Sequence, residues 1–410
     1  MDKRMDRQYN KIGIATHKPT PKLTFFLILM AFIMSMRCWM GFNGRLELFT
    51  YVFPLFLVFS CSQEKVHFDF KRRYVFFAIL VFMARLYESR LALNLVGNIS
   101  MAFPAICILL ILSISDSEKP RLLAYIIKWF GIFILAGIVL YLLSFIVDLP
   151  SFGEVQATYG NSLIGDNFKN YIVYIKQVPA NGFPRFNSAS IEPGDVGCVT
   201  AFLLFAAQFN FTRYQYLWAI LAGLILSFSL AGYFLALLGY IFSVYNRNRI
   251  SLRNIIMLSV LLLSIFIYGR YATGGIVNEL IFSRLEMDED TGIVGNNRAT
   301  LIMYDYYEAM FNDPSVLLFG YDTDTVAFIK DKARGAGFIS QVLSTGLVGF
   351  FCLCFPFLIF FLLSKNKKYA SLFFVIFMFY MYQRTDAFWF SLVLCYVYGI
   401  VISEREKGLI

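Results

Sequence analysis

Long apolar runs alternate with short polar clusters along most of the chain. A helix needs roughly 20 residues, within about 17–25, to cross the hydrocarbon of a bilayer. Runs of that kind predict spanning helices near 23–42, 46–62, 74–90, 94–115, 122–147, 193–209, 215–229, 231–245, 254–270, 337–363, 369–383 and 387–402. The stretch 215–245 reads either as one long helix or as two short ones folded about Ser227-Phe228-Ser229. Gly232 and the two serines suit a tight turn, so two helices are expected. The expected fold class is therefore an all-α polytopic membrane protein of about twelve transmembrane helices, with two long external loops.

Charge placement sets the orientation. Lys and Arg gather in the cytoplasmic loops of membrane proteins. With the N-terminus inside, the inner segments hold Lys3, Arg4, Arg7, Lys11, Lys18 and Lys22, then Lys65, Lys71, Arg72 and Arg73. They continue with Lys119 and Arg121, Arg213, Arg247, Arg249 and Arg253, then Lys365, Lys367 and Lys368, and finally Arg405 and Lys407. Merging 215–245 into one helix would put the Lys365 cluster outside, so charge favours the two-helix reading. The organisation that follows is a cytoplasmic basic arm (1–22), helices 1–5 (23–147), an external loop (148–192), helices 6–9 (193–270), a large external loop (271–336), helices 10–12 (337–402) and a cytoplasmic tail (403–410). Both termini are expected in the cytoplasm.

Composition agrees with lipid as the solvent. The chain is 59% hydrophobic and only 15% charged, whereas soluble domains are about a quarter charged. The net charge of +9 sits in short clusters between apolar runs, which argues for membrane anchoring and against nucleic acid as a partner. The first apolar run follows the basic arm and is followed by bulky Arg37-Cys38-Trp39-Met40, so it is expected to be a retained helix and not a cleaved signal. Seven cysteines lie in or beside apolar runs without metal spacing or a disulfide framework, and read as packing residues.

The two long loops hold the chemistry. Asn297 to Asn312 is predicted as an amphipathic helix, with Ala299, Met303, Tyr306, Tyr307 and Met310 on one stripe and Arg298, Asp305, Glu308 and Asn312 opposite. Asp313-Pro314 is expected to end it. Such a helix suits either the membrane interface or a lid over the spans. The first loop ends on Gly182-Phe183-Pro184-Arg185-Phe186-Asn187-Ser188-Ala189-Ser190-Ile191-Glu192-Pro193-Gly194-Asp195. Pro193 suits the first turn of a helix, whose N-terminus favours anions. Arg185 adds a cation with a fork that matches phosphate. Glu192 and Asp195 read either as functional carboxylates or as helix caps. Arg270, Arg284, Arg298, Lys330, Lys332 and Arg334 place six cations in the second loop, as a solvated basic surface or as a clamp for anions. Arg384 and Asp386 stand at the external mouth of the bundle, as functional groups or as a structural ion pair. The run Glu286-Met287-Asp288-Glu289-Asp290 lacks the glycine and spacing of a calcium loop and reads as a solvated turn. No metal is expected. Nucleotide-binding, serine-hydrolase and zinc-protease motifs are absent from the sequence. Both histidines, His17 and His67, fall on the cytoplasmic side, so an external base must be a carboxylate or a tyrosine.

These residues resemble the O-antigen polymerase (Wzy-type) and O-antigen ligase superfamily over roughly 150–360. Three parts carry the likeness: Arg185 followed by Glu192-Pro193-Gly194; Asn297-Arg298 opening a helix, with Pro314 and Leu318-Phe319-Gly320-Tyr321 after it; and Ser344-Thr345-Gly346-Leu347-Val348-Gly349. Eleven residues separate Arg185 from Gly197, and Arg334 from Gly346, where polymerases often show a slightly shorter spacing. Ligases of the superfamily typically carry an external His near the end of the large loop. Here Gly335-Ala336-Gly337-Phe338 stands in that place, which favours polymerase over ligase.

The resemblance implies a GT-C-like membrane glycosyltransferase of the bacterial inner membrane, without metal or cofactor. It would join undecaprenyl-diphosphate-linked oligosaccharide repeat units into O-antigen or a related surface polysaccharide, beside a chain-length regulator protein. On that reading Glu192 is the expected catalytic base with Asp195 in reserve, and Arg185 and Arg298 bind the diphosphates. Arg334, Arg284, Arg270 and Arg384 are further diphosphate ligands. An O-antigen ligase is one alternative, and a lipid-linked oligosaccharide flippase or other transporter another. A transporter favours mid-depth charges and broken or repeated helices, and the sequence shows neither.

Overall fold

A computed structural model describes residues 21–39, 47–89, 102–158, 165–178, 184–246, 287–288, 292–293, 300–332 and 337–409. Its first helices are α1 Lys22–Met34, α2 Glu47–Gln63, α3 Arg72–Ser89, α4 Ala102–Leu112 and α5 Lys119–Leu143. A small sheet follows, with β1 Glu154–Thr158, β2 Gly165–Asn170 and β3 Ile175–Val178, and then α6 Pro193–Ala206, α7 Leu217–Leu226 and α8 Leu230–Asn246. After a two-strand bridge, β4 Met287–Asp288 with β5 Gly292–Ile293, come α9 Leu301–Ala309, α10 Pro314–Phe319 and α11 Thr323–Lys332. The chain closes with α12 Phe338–Leu363, α13 Lys367–Gln383 and α14 Phe390–Glu406. The expected span at 254–270 lies outside the described residues.

The described chain is mostly helical, and α5 and α12 are long and apolar enough to cross a membrane. Two helices form the centre. From Asp195 to Ala206, α6 is buried on every side, and α14 is buried from Ser391 to Glu404. They cross where a Cβ on Gly399 would stand 3.1 Å from the Cα of Ala206. Around them the helices are apolar on both faces, as buried or lipid-facing helices are. Leu55, Phe56 and Phe59 of α2, Phe76, Ile79 and Met83 of α3, and Phe351 of α12 all point outward. That outward apolar surface and the two long helices are what associate this fold with membranes.

The polar segments sort to two ends. At one, the Glu64 carboxylate caps α1 by accepting the Leu23 and Thr24 amides at 2.8 Å. There Lys71 and Lys119 pair with Asp116 at 2.5 and 2.6 Å, Arg73 with Glu404 at 2.7 Å, and Arg213 with Glu406. The same Glu404 accepts from Ser364 Oγ and the Lys365 amide, both at 2.7 Å. At the other end, Arg37 reaches Glu192 and Asp386, Tyr141 donates to Pro184 O at 2.9 Å, and Tyr87 donates to Thr345 O at 3.1 Å. Lys71, Lys119, Arg213 and Lys365, which belong to different basic clusters of the sequence, therefore share the first end, and Glu192 and Asp386 share the second.

Four local expectations change. Residues 215–245 do form two helices, with Phe228 at φ 46° in the turn, but α7 has only 10 residues. At 1.5 Å per residue it is about 15 Å long, half a bilayer's hydrocarbon. Its turn packs onto α6, where a Cβ on Gly232 would lie 2.8 Å from the Gly197 Cα. The external loop 148–192 holds an antiparallel sheet that the all-α reading omitted, with Glu154 opposite Lys169 and Lys169 opposite Lys176. Its strands are short and polar, and Phe168 and Ile175 pack with Ile191 and Trp39 in a small apolar cluster of their own.

The expected 297–312 helix is α9 followed by a single 3-10 turn, with 297–299 outside the described residues. Met303 and Met310 are buried and Asp305 and Glu308 exposed, as its stripe predicts. Asp313 ends that helix and starts another, because its carboxylate accepts the Ser315 and Val316 amides and caps α10. Finally, α12 is interrupted at Gly346, φ 67°. The backbone of Leu318–Phe319 lies where a side chain on Gly346 would stand, and the Tyr321 amide donates to Leu343 O at 2.9 Å.

Candidate functional site

The segment that carries the Glu-Pro-Gly-Asp motif opens α6. Glu192 is extended, at φ −121° and ψ 125°, and Pro193 takes the first helical position. The capping role open to Glu192 and Asp195 is not the one they take. Glu192 makes no side-chain cap hydrogen bond, and both carboxylates turn to Arg384. The terminal nitrogens of that guanidinium divide between Asp195 Oδ1 and Glu192 Oε2. Arg384 is 2% exposed and Asp195 fully buried, so this pair stands out of water. Gly194 makes the approach possible, since a Cβ there would overlap Arg384 Nη2. Burial works against the guanidinium charge. The Asp195 and Glu192 carboxylates outweigh it and hold the Arg384 pKa above its ordinary value.

Arg37 completes the cluster from the end of α1. Its positive φ of 48° turns the chain out of the helix, and Cys38 then pairs with Ser190 in an isolated antiparallel bridge. The Trp39 amide donates to Ala189 O at 2.9 Å, which fixes Arg37 in register with Glu192. The guanidinium stands 3.3 Å from Glu192 Oε1, 2.6 Å from Asp386 Oδ2 and 4.0 Å from Asp195 Oδ2. It also lies 5.4 Å over the Trp389 ring. Ser190 Oγ is 3.2 Å from Asp195 Oδ2. Next to this, Arg85 pairs with Glu88 at 3.1 Å and stacks 5.2 Å over Phe388, while Gln341 donates to Glu88. Glu88 is close enough for the Asp386 charge to act on it. The central cluster thus sets three carboxylates, Glu192, Asp195 and Asp386, against two guanidinium groups. Among the described residues no group of three or more His, Cys, Asp or Glu is placed to hold a metal ion.

Of the residues singled out in the sequence, Glu192, Asp195 and Arg384 converge. Arg384 and Asp386, which read as functional groups or as an ion pair with each other, are paired with different partners. Arg185 is half-buried, and its charge acts on the Tyr233 hydroxyl. Arg270, Arg284, Arg298 and Arg334 lie outside the described residues. The sequence reading passed over Arg37, Arg85 and Glu88. One signal was present: Arg37, just beyond α1, and Arg85, in the second half of α3, lie toward the side that the positive-inside pattern keeps poor in cations. Two of the segments singled out in the sequence also meet, because Gly320 and Gly346 touch backbone to backbone. Comparison with known proteins finds no matching family model, no matching curated protein and no matching solved structure.

Proposed function

We propose that this chain is a polytopic glycosyltransferase of the bacterial inner membrane. It polymerises undecaprenyl-diphosphate-linked oligosaccharide repeat units into O-antigen or a related surface polysaccharide. In this reading both termini are cytoplasmic, the end that carries Glu192 faces outward, and a chain-length regulator protein acts beside it. The observation that carries the proposal is the Arg37–Glu192–Asp195–Arg384–Asp386 cluster, at the end opposite the basic loops. Outside the cell no nucleotide sugar is at hand, so the donor must arrive on a lipid. Its diphosphate leaving group requires cations, which arginines supply as fixed charges aimed at the charge that develops. Arg185, Arg298, Arg334, Arg284 and Arg270 are proposed to meet it. Arg384 is already committed to two carboxylates, so its role is to shape the site and not to bind diphosphate. Contact between Leu318-Phe319-Gly320 and Gly346 supports the reading, since it unites segments that resemble the family separately. The test is polymerisation by the purified protein from lipid-linked repeat units, with no nucleotide sugar present. Absence of chains longer than one repeat defeats the proposal.

One observation favours the transporter reading. Gly346 breaks α12 and α7 is short, and transporters build midplane sites from such discontinuous helices. The break, however, is filled by the protein's own Leu318–Phe319 backbone, and the charge cluster stands at one end of the bundle. A transporter moves the lipid-linked unit across vesicles without lengthening it, and the same assay separates the two.

A further inference from the structure

The three carboxylates of the cluster are not equivalent. Asp195 is fully buried, held by Arg384 and within reach of Ser190 and Arg37. Glu192 has one oxygen on Arg37 and the other on Arg384. A carboxylate with each oxygen held by a guanidinium is poorly placed to take a proton. Asp386 differs on both counts. Its side chain is 38% exposed, the most of the three, and only Oδ2 is engaged, by Arg37 at 2.6 Å. Among the described residues Oδ1 accepts nothing. Arg384 Nε, nearly as buried as Asp195, is a donor that no described residue matches.

We infer that Asp386 is the general base of the transfer and that Arg37 is its positioning residue. This rests on the polymerase reading and replaces Glu192 in the role first expected for it. The acceptor sugar hydroxyl gives its proton to Asp386 Oδ1 as its oxygen bonds to the donor's anomeric carbon. The bond from that carbon to the diphosphate breaks, and its electron pair leaves with the diphosphate. The cluster has one carboxylate more than it has guanidinium groups, so taking up one proton neutralises it. The exposed side of Asp386 then returns the proton to water. Arg37 holds Oδ2, and through it the direction of Oδ1, while Trp389 and the Cys38–Ser190 bridge hold Arg37.

The experiment uses the full chain in proteoliposomes, with undecaprenyl-diphosphate-linked repeat units extracted from a strain that lacks this gene. Asp386→Asn is expected to lower kcat by about 10²–10⁴-fold, the usual worth of a general base, with KM within about threefold. Formate is expected to restore Asp386→Ala at least about tenfold, which a purely structural role does not allow. Glu192→Gln is expected to keep more activity than Asp386→Asn and to melt at a lower temperature. The assignment to Asp386 is overturned if Asp386→Asn keeps more than about a third of wild-type kcat. It is overturned equally if Asp386→Ala melts like wild type and formate restores nothing. A wild-type protein that makes no polymer from this donor removes the polymerase reading itself, and that result is distinct because it appears before any substitution is made.

Discussion

The Arg384 guanidinium occupies the space that a side chain at Gly194 would need. One position in the first turn of α6 is therefore kept bare so that a cation can reach Asp195 and Glu192 together. Gly194→Ala is expected to push Arg384 off its carboxylates and to cost about 1–3 kcal/mol, the usual penalty for overpacking. Thermal melting of the protein in nanodiscs measures this, and a melting temperature equal to wild type would show that the guanidinium has room to move.

Removing Arg384 exposes a different energy. Arg384→Met leaves the fully buried Asp195 without its main partner, and breaking a buried pair from one side costs about 3–5 kcal/mol. Replacing both partners, as Arg384→Met with Asp195→Asn, is expected to recover much of that loss, because no uncompensated buried charge remains. A double-mutant cycle on unfolding free energy gives the coupling. Additive losses would mean that the two side chains do not interact.

How much of this was visible in the sequence follows from what each feature depends on. The mostly helical class was legible because apolar runs are a local property, although among the described residues only α5 and α12 are long and apolar enough to cross a membrane. The two ends were legible because the basic clusters are local too. Glu192 and Asp195 stood out as carboxylates at a helix start, and Arg384 as a charge at a helix end. Their pairing was not legible, since 155 residues separate Arg37 from Glu192 and 349 separate it from Asp386. The two-residue spacing of Arg384 and Asp386 left open an ion pair between them, and the structure gives them different partners, Glu192 and Asp195 for Arg384 and Arg37 for Asp386. The break in α12 was hidden in a continuous apolar run. It depends on the approach of Leu318–Phe319 from a distant segment. β2, Gly-Asp-Asn-Phe-Lys-Asn, has a composition that propensity would not make a strand.

Gly346 gives a prediction about coupling between the external segment and the bundle. Any side chain there meets the backbone of Leu318–Phe319, and the positive φ adds strain of its own. Gly346→Ala is expected to detach α10 from α12, while Gly349→Ala, which meets the Thr345 and Tyr87 side chains instead, leaves α10 in place. Limited proteolysis between 311 and 332 reads this directly. Equal protection in the wild type and Gly346→Ala would show that the α10 contact does not depend on this glycine.

The opposite end of the bundle makes a prediction with a definite sign in pH. Burial raises the Asp116 pKa, but Lys119, Lys71 and the Tyr74 hydroxyl outweigh it and hold the carboxyl well below its ordinary range. A group whose folded pKa is depressed contributes stability that is present above its unfolded pKa, about 3.9 for Asp, and lost as pH falls toward the folded value. The network that Asp116 anchors joins α3, α5 and α14, since Arg73 bridges Asp116 at 3.6 Å to Glu404 at 2.7 Å. Asp116→Asn is therefore expected to lower stability at neutral pH and to flatten the acid limb below about pH 4. Melting curves of both proteins between pH 3 and pH 7 test this. Parallel curves across that range would mean that the Asp116 charge contributes nothing to the fold, and that Lys119, buried between the Tyr74 and Tyr398 rings, is held by those rings and by the Ile114 carbonyl instead.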